Sequence, residues 1–191
     1  MLITGFRLID APVMGLQTGV ELARISKPVI DPKDLHILAY EVEGPSLDLH
    51  PSLLRIADVR EFSDIGIIID SSDEFVSPDD IIKLGEVYNQ HFPLLGLTVR
   101  DEHKRKLGKV DGYTIETGDF VIQQLSVKRP IFKSLGDTHL LIHRSQIIEI
   151  NDKEIITHSE AEIPEPSLEK IHSTYVNPFR KNAQAEHTDK S

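Results

Sequence analysis

Two histidines four residues apart in a strand-like run raise the question of a metal site. His139 and His143 flank the apolar residues 140–142, so they share one face of the predicted strand. Strand positions four apart are separated by about 13 Å, which is too far for one metal ion, whereas the same spacing on a helix brings two ligands together. None of the nine histidines lies in an HExxH pattern. The sequence therefore predicts no metal site.

A run of carboxylates beginning with Asp70, Asp73 and Glu74 has the composition of a calcium loop without its pattern. An EF-hand loop requires glycine at its sixth position and glutamate at its twelfth, and those positions hold Phe75 and Ile81. A turn followed by a helix N-terminus explains the same residues, because acidic side chains stabilise the positive end of a helix. We favour this second interpretation.

The residue types required for nucleophilic catalysis are missing or lie outside the known patterns. The chain contains no Cys, which excludes disulfides, thiolate metal ligands and a Cys nucleophile. No Ser lies in a Gly-x-Ser-x-Gly turn, and no glycine-rich loop of the phosphate-binding kind is present. We therefore predict no catalytic residue, no cofactor and no enzymatic activity.

The net charge of −10 is concentrated in the first half of the chain. Residues 1–90 contain 7 Lys and Arg against 16 Asp and Glu, a net charge of −9, and residues 91–162 contain 10 against 11. Such acidity repels nucleic acid and anionic lipid. The local exception is the run His103 to Lys106, with Lys104, Arg105 and Lys106. A solvated hairpin tip is the favoured interpretation of this run, and a phosphate contact is the alternative.

Apolar runs in this chain are short, so we expect no membrane span. The longest runs (65–69, 92–97 and 140–142) fall well below the roughly 18 residues that a transmembrane helix needs. The first ten residues lack the basic start and long apolar stretch of a signal peptide. We therefore expect a cytoplasmic protein.

Short strand-like runs separated by turn residues dominate the chain, with one helix between them. Residues 35–42 predict a strand with Leu35, Ile37 and Ala39 on one face, and Pro28 is placed between strands. Residues 78–89 predict a helix that links two halves, because Ser77 can cap its first turn and Pro78 suits its first position.

The C-terminal segment from residue 163 differs in character from the rest of the chain. Residues 182–191 are polar except for alanine, which predicts disorder. Within the segment, Leu168, Ile171 and Tyr175 follow helical spacing, and Phe179 lies in an apolar turn beyond them. One interpretation is a segment that packs back on the folded part or is simply disordered. The other is a linear docking motif in which Tyr175 and Phe179 bind a partner.

The two halves of the chain repeat the same order of features. Gly15-Leu16 and Gly96-Leu97 open them, and residues 22–25 (Leu-Ala-Arg-Ile) correspond to residues 107–110 (Leu-Gly-Lys-Val). A turn, an apolar strand and a polar-then-aliphatic run follow in both halves. Each feature is common alone, but the same order twice indicates an internal repeat.

The second half, with residues 96–101, Leu107-Gly108-Lys109-Val110, Thr117-Gly118 and residues 147–150, resembles a PRC-barrel domain. This small β-barrel occurs in the photosynthetic reaction-centre H subunit and at the C-terminus of the ribosome-maturation factor RimM. The first half resembles a more divergent copy, with Ala23 at the position of Gly108. The resemblance implies a mostly β protein of two tandem antiparallel barrels, 1–90 and 91–162, joined by a short helix and followed by a tail, 163–191.

Barrels of this family serve as docking platforms, so the resemblance implies a non-catalytic protein-binding or scaffold module. The expected partner is another protein, and a basic protein would complement the acidic residues 1–90. A homo-oligomer is also compatible with the sequence. The alternative function is that of a ribosome-assembly or rRNA-maturation accessory factor that docks on a ribosomal protein. The candidate partner-binding residues are Asp70, Asp73, Glu74, Lys104, Arg105, Lys106, Tyr175 and Phe179.

Overall fold

A computed structural model describes residues 1–45, 47–63, 66–129 and 139–159. These residues are mostly β, with one α-helix among them, and residues Met1–Ser159 form one compact unit. The predicted tail, 163–191, lies outside the described residues.

Eight strands and the helix come from the first half of the described chain, and six strands come from the second. The first set is β1 (Leu2–Thr4), β2 (Pro12–Gly15), β3 (Glu21–Asp31), β4 (His36–Glu43), β5 (Ser52–Arg55), β6 (Glu61–Ser63), β7 (Gly66–Ile69), β8 (Phe75–Val76) and α1 (Ile82–Asn89). The second set is β9 (Thr98–Asp101), β10 (Lys106–Glu116), β11 (Val121–Lys128), β12 (His139–His143), β13 (Ile147–Ile150) and β14 (Glu154–Thr157).

The internal repeat predicted from the sequence is present in the strand pairing. Strands β2 to β7 form the first repeat (residues 12–69), and β9 to β14 form the second (residues 98–157). In each repeat the first four strands pair antiparallel in chain order, and the last two form an antiparallel pair. In each the last strand also pairs parallel with the first, with Val13 opposite Ile67 and Val99 opposite Ile155.

The two repeats meet through one short antiparallel pairing between equivalent strands. In this pairing His36 of β4 lies opposite Val121 of β11. Two backbone hydrogen bonds of 3.0 Å flank it, in which the Ile37 N–H donates to the Phe120 carbonyl and the Ile122 N–H donates to the Leu35 carbonyl. Because the bonded residues are equivalents 85 positions apart, the contact has local two-fold pseudosymmetry.

The resulting sheet contains 14 strands within the described residues, and its hydrogen-bonded path is open, from β13 at one end to β6 at the other. Its main hydrophobic core contains residues of both repeats, including the fully buried Ile37, Ile67, Leu125 and Ile155. Tyr40 and Phe120 meet edge to face across the boundary between the repeats, with ring centroids 6.4 Å apart. The repeats are therefore joined by packing as well as by backbone pairing.

A second, smaller core lies between the first repeat and the helix. It contains Val29, Ala39 and Leu53 of strands β3 to β5, together with Leu84 and Val87 of α1. The three strand residues share the face of the sheet turned away from the main core, which we call the outer face of the first repeat. The helix covers this face.

The expectation that Leu35, Ile37 and Ala39 share one face is wrong. Opposite β3, the register moves from Ile37 to Ala39 with one extra residue between them. A bulge of this kind changes the alternation of sides, so Ile37 enters the main core and Ala39 enters the smaller one. Pro28 lies inside β3, opposite Tyr40, and not between strands.

The helix predicted at residues 78–89 consists of a 3₁₀ turn, Pro78–Asp80, followed by α1. Ser77 begins it as expected, since its Oγ accepts a hydrogen bond from the Asp79 N–H at 3.4 Å and its own N–H donates to Asp80 at 2.7 Å. The buried residues of α1 include Leu84 and Val87.

The predicted equivalence of Gly15 with Gly96 is wrong, because Gly15 ends β2 whereas Gly96 precedes β9. The structural equivalent of Gly96 is Asp10. Both have positive φ, 87° and 63°, and both N–H groups donate at 2.8 Å to equivalent carbonyls, those of Val110 and Ile25. Because the first repeat has Asp10 and not glycine at this left-handed position, the equivalence of the two positions is not visible in the sequence.

Candidate functional site

One end of the first repeat combines exposed apolar side chains with acidic residues. The turn between β2 and β3 places Leu16 and Val20 in solvent, 64% and 53% exposed. The turn lies against the segment after β7, because the Leu16 N–H donates to the Ile69 carbonyl at 2.8 Å and the Gln17 N–H donates to the Asp70 carbonyl at 3.3 Å. We call this surface, formed by Leu16, Val20 and residues 70–74, the hairpin end of the first repeat.

The turn itself depends on a glycine at its fourth residue. Gly19 has a φ of 68°, a conformation that is costly for residues with a side chain. Its N–H donates to the Gly15 carbonyl at 2.7 Å, and the Val20 carbonyl accepts from the Gly15 N–H at 3.0 Å. In this tight turn the side chains of Leu16 and Val20 remain exposed to solvent.

The three acidic residues predicted at this end have different environments. Asp70 accepts two hydrogen bonds from the Arg60 guanidinium, at 2.9 and 2.5 Å, and this pairing holds the pKa of Asp70 below its ordinary value. The pKa of Arg55 is raised by its hydrogen bond to Asp58 and, more weakly, by the charge of Glu74. The pKa of Arg60 is raised mainly by its hydrogen bond to Asp70, and the charge of Glu74 raises it slightly further.

Asp73 differs from Asp70 because it forms no ion pair with another described residue, and it differs from Glu74 because it is exposed. Only its backbone is engaged, through the N–H that donates to Ser71 Oγ at 3.2 Å. The structure therefore leaves Asp73 as the carboxylate of the predicted trio that is available to a partner.

The basic run of the second repeat forms the equivalent hairpin, between β9 and β10. Its anchor is Asp101, 1% exposed, whose carboxylate accepts from the backbone N–H groups of His103 and Arg105, at 2.9 and 2.8 Å, and from Arg105 Nε at 2.6 Å. Burial acts to raise the pKa of Asp101, but the hydrogen bonds from Arg105 and His103 outweigh it and the pKa is lowered.

The predicted cations of this hairpin are therefore not equivalent. Arg105 is held by Asp101, whereas Lys104 and Lys106 are exposed and form no ion pair within the described residues. Lys104 has a φ of 63° at the position that Gly19 occupies in the first repeat. The two hairpin ends thus present an apolar and acidic surface in one repeat and a basic surface in the other.

The two histidines of β12 are directed to different partners. His139 Nε2 lies 2.8 Å from Asp111, and His143 Nδ1 lies 2.8 Å from Ser145 Oγ. Across the described ranges, no group of three or more His, Asp or Glu side chains is arranged to hold a metal ion. Tyr175 and Phe179 lie outside those ranges, so their predicted role stays a prediction.

Leu16 and Val20 were not found by sequence reasoning, which concentrated on charge. The available signal was the run Leu-Gln-Thr-Gly-Val between two strands. An apolar residue at each end of a tight turn has no core to enter, because the turn directs both side chains outward.

No protein-family model matches the chain, and no curated protein matches it either. In the part of the chain that the structure describes, no helix has the length and apolar character needed to cross a membrane.

Proposed function

We propose that this protein is a non-catalytic protein-binding module built from two tandem PRC-barrel-like domains, each formed by one repeat. The motifs that resemble this family occur in both repeats, and the strand pairing repeats with them. Each repeat also brings its last strand back beside its first, and a sheet has to curl in this way before it can close into a barrel.

The docking surface of this proposal is the hairpin end of the first repeat. The carrying observation is that Leu16 and Val20, both more than half exposed, lie beside the segment that bears Asp73, which forms no ion pair with another described residue. Apolar side chains at the centre and charge at the rim are the usual arrangement of a protein interface. With a net charge of −9 in residues 1–90, the complementary partner is a basic protein with an apolar anchor.

The test is affinity capture from native lysate with the full chain and three variants. We expect the double variant Leu16→Ser/Val20→Ser to reduce the bound partner at least tenfold, because it removes the apolar centre without changing charge. Asp73→Lys should reduce the association rate of the isolated partner more than it increases the dissociation rate, since rim charges act mainly on encounter. The matched control is Ile82→Ser, which changes an 82% exposed side chain on α1.

Salt provides the second measurement of the same binding. The association rate should fall between 0.1 and 1 M salt, as the Debye length decreases from about 10 to about 3 Å. A partner that binds all three variants and the wild-type chain equally would exclude the hairpin end as the docking surface.

The alternative, a ribosome-assembly accessory factor, is favoured by one observation: Lys104 and Lys106 are exposed and form no ion pair with any residue that the structure describes. Cosedimentation with ribosomal subunits at moderate salt tests it. If this hairpin contacts rRNA, Lys104→Glu/Lys106→Glu should abolish cosedimentation and Asp73→Lys should strengthen it. Arg105 is left unchanged in this test, because it supports the hairpin through Asp101.

A further inference from the structure

Strand β5 of the first repeat is paired on both of its sides. One side pairs with β4, and the other pairs antiparallel with the short strand β8, in which Val76 lies opposite Leu53. Leu53 is fully buried, and Val76 packs against the smaller core to which Leu53 belongs. In this repeat, therefore, the second side of the strand is covered by a short antiparallel strand.

The equivalent strand of the second repeat, β12, has a different environment. Strand register identifies the equivalent of Leu53: it lies opposite Glu41 in β4, and Leu141 lies opposite Ser126, 85 positions after Glu41, in β11. Among the strands that the structure describes, β12 pairs with β11 alone. Leu141 is 60% exposed, whereas Leu53 is fully buried. We call the side of β12 turned away from β11 its open side.

The backbone groups of Leu141 are directed to this open side. Strand β12 pairs with β11 over five successive residues without a bulge, so its residues direct their N–H and C=O groups alternately toward β11 and away from it. The His143 N–H points away, because it donates to Gln146 Oε1 at 2.8 Å. Leu141, two positions earlier, therefore also directs its N–H and its carbonyl to the side on which a further strand would lie.

The open side of β12 does not have the features that usually keep an edge strand from pairing. Such features are proline, charged side chains, above all lysine, and bulges. Residues 139–143 (His-Leu-Leu-Ile-His) contain no proline, lysine, arginine or acidic residue, and their pairing with β11 is regular. A regular strand of this composition favours pairing with another strand.

The sequence of β12 is nearly the same when it is read in either direction, which indicates a second copy of β12 as the pairing strand. An antiparallel pair centred on Leu141 places each residue opposite one of like type: Leu141 opposite Leu141, Leu140 opposite Ile142, and His139 opposite His143. The two central leucines would exchange two N–H···O hydrogen bonds. Apolar pairs directly opposite each other stabilise antiparallel strands.

The distribution of charge also permits a contact between two copies through the second repeat. Residues 91–162 contain 10 Lys and Arg against 11 Asp and Glu, whereas residues 1–90 have a net charge of −9. Repulsion between like-charged surfaces opposes association. It is therefore much weaker between two second repeats than between two first repeats.

We infer that β12 is a self-association surface, through which two copies of the chain form a two-fold symmetric dimer with antiparallel β12 strands centred on Leu141. A contact between identical surfaces closes with two copies and does not continue into a filament. This inference does not depend on the proposed protein-binding function, which uses the hairpin end of the first repeat.

Sedimentation equilibrium of the full-length chain measures this association. We expect a dimer, and we expect Leu141→Asp to increase its dissociation constant at least tenfold, because two carboxylates would then lie opposite each other. The matched control is Ile82→Asp, which introduces the same charge at an 82% exposed aliphatic residue of α1. This control should leave the dissociation constant unchanged. Far-UV circular dichroism of both variants reports whether they are folded.

Introduced disulfides test the register without adding charge, since the chain contains no Cys. Opposite residues of a hydrogen-bonded antiparallel pair have Cα atoms about 5.5 Å apart, within the limit of about 7 Å for a disulfide. Leu141→Cys should therefore form an interchain disulfide under mild oxidation at least tenfold faster than His139→Cys, because the two copies of residue 139 would be four strand positions, about 13 Å, apart. The double variant His139→Cys/His143→Cys should restore the fast rate.

Three results would overturn the inference. The first is a wild-type chain that stays monomeric at millimolar concentration, in which slow amide exchange at Leu141 would identify a segment of the same chain as the strand on the open side. The second is a dimer that Leu141→Asp and Ile82→Asp affect equally. The third is equal rates of disulfide formation at positions 139 and 141, which random collision of the chains would produce.

Discussion

A single position, Gly108, shows how closely two strands approach in the second repeat. A Cβ at this position would lie 2.3 Å from the Lys128 carbonyl oxygen and 2.7 Å from Val127 Cγ1. The first repeat has Ala23 at the equivalent position and buries it. There the neighbouring strand, β4, is followed by Gly44, where an added Cβ would be 3.5 Å from the Ala23 Cβ. In the first repeat, therefore, the glycine of this close approach follows β4, whereas in the second repeat it lies in β10.

Replacing Gly108 by alanine should therefore destabilise the protein. The clash is with backbone, which cannot rotate away, and overpacking of this kind costs about 1–3 kcal/mol. Urea denaturation followed by far-UV circular dichroism measures the free energy of unfolding. The control is Gly118→Ala, since the nearest atom to a Cβ there is 3.8 Å away, and we expect a change below about 0.5 kcal/mol. Equal stability of Gly108→Ala and the wild-type chain would contradict the close approach.

Residue types alone indicated which parts of the candidate site are charged. They did not indicate which of the charged side chains are held in ion pairs and which are available to a partner. Asp70, Asp73 and Glu74 are indistinguishable by sequence, whereas the structure pairs Asp70 with Arg60, ten positions away, across the β6–β7 hairpin. Such pairing depends on register, which the pattern of apolar residues does not specify for polar positions.

At the scale of elements, α1 stabilises the first repeat through one side only. Leu84 is 4% exposed in the smaller core, whereas Ile82, two residues earlier, is 82% exposed. Removing a buried leucine costs about 2–5 kcal/mol. An exposed isoleucine contributes little, and alanine has the higher helix propensity.

Leu84→Ala should therefore lower the free energy of unfolding by about 2–4 kcal/mol, and Ile82→Ala should change it by less than about 0.5 kcal/mol. Both variants remove an aliphatic side chain from the same helix, so a general loss of helix stability would affect them alike. Thermal unfolding of the two variants and the wild-type chain is the measurement. Similar losses for both would show that α1 does not pack on the sheet as described.

The sequence predicted the elements whose signals are local. Ser77 and Pro78 marked the start of the helix, and the turn residues marked most strands. It failed where the chain departs from regular alternation, as at the bulge between Ile37 and Ala39. Strand β14 was also missed, because its pairing partner β9 lies far away in the chain and pairs with it in parallel.

At the scale of the molecule, the repeat is the property that the sequence predicted best. The order of turns and strands within a repeat is a local pattern, and it is the same in both copies although their residues differ. How the two copies meet could not be predicted, because the strand pairing that joins them is made by backbone atoms of Leu35, Ile37, Phe120 and Ile122. Every residue type has these backbone groups (proline lacks only the N–H), so the sequence does not indicate where such a pairing forms. The shared core follows from this contact, and so does the expectation that neither repeat unfolds alone.

Two equivalent core residues test that expectation. Ile67 of β7 and Ile155 of β14 are both fully buried in the main core, opposite Val13 and Val99. Ile67→Ala and Ile155→Ala should each cost about 2–5 kcal/mol. If the repeats unfold in one cooperative transition, each variant lowers the free energy of amide opening in both repeats equally.

Hydrogen exchange measured by mass spectrometry at urea concentrations below the midpoint gives this free energy for β3 and β10 separately. We expect Ile67→Ala to reduce the protection of β10 as much as that of β3, and Ile155→Ala to do the same in reverse. Loss of protection confined to the repeat that carries the substitution would show two independent folding units. In that case the Tyr40–Phe120 contact and the β4–β11 pairing would join two domains without coupling their stabilities, and the protein would be a chain of separate modules.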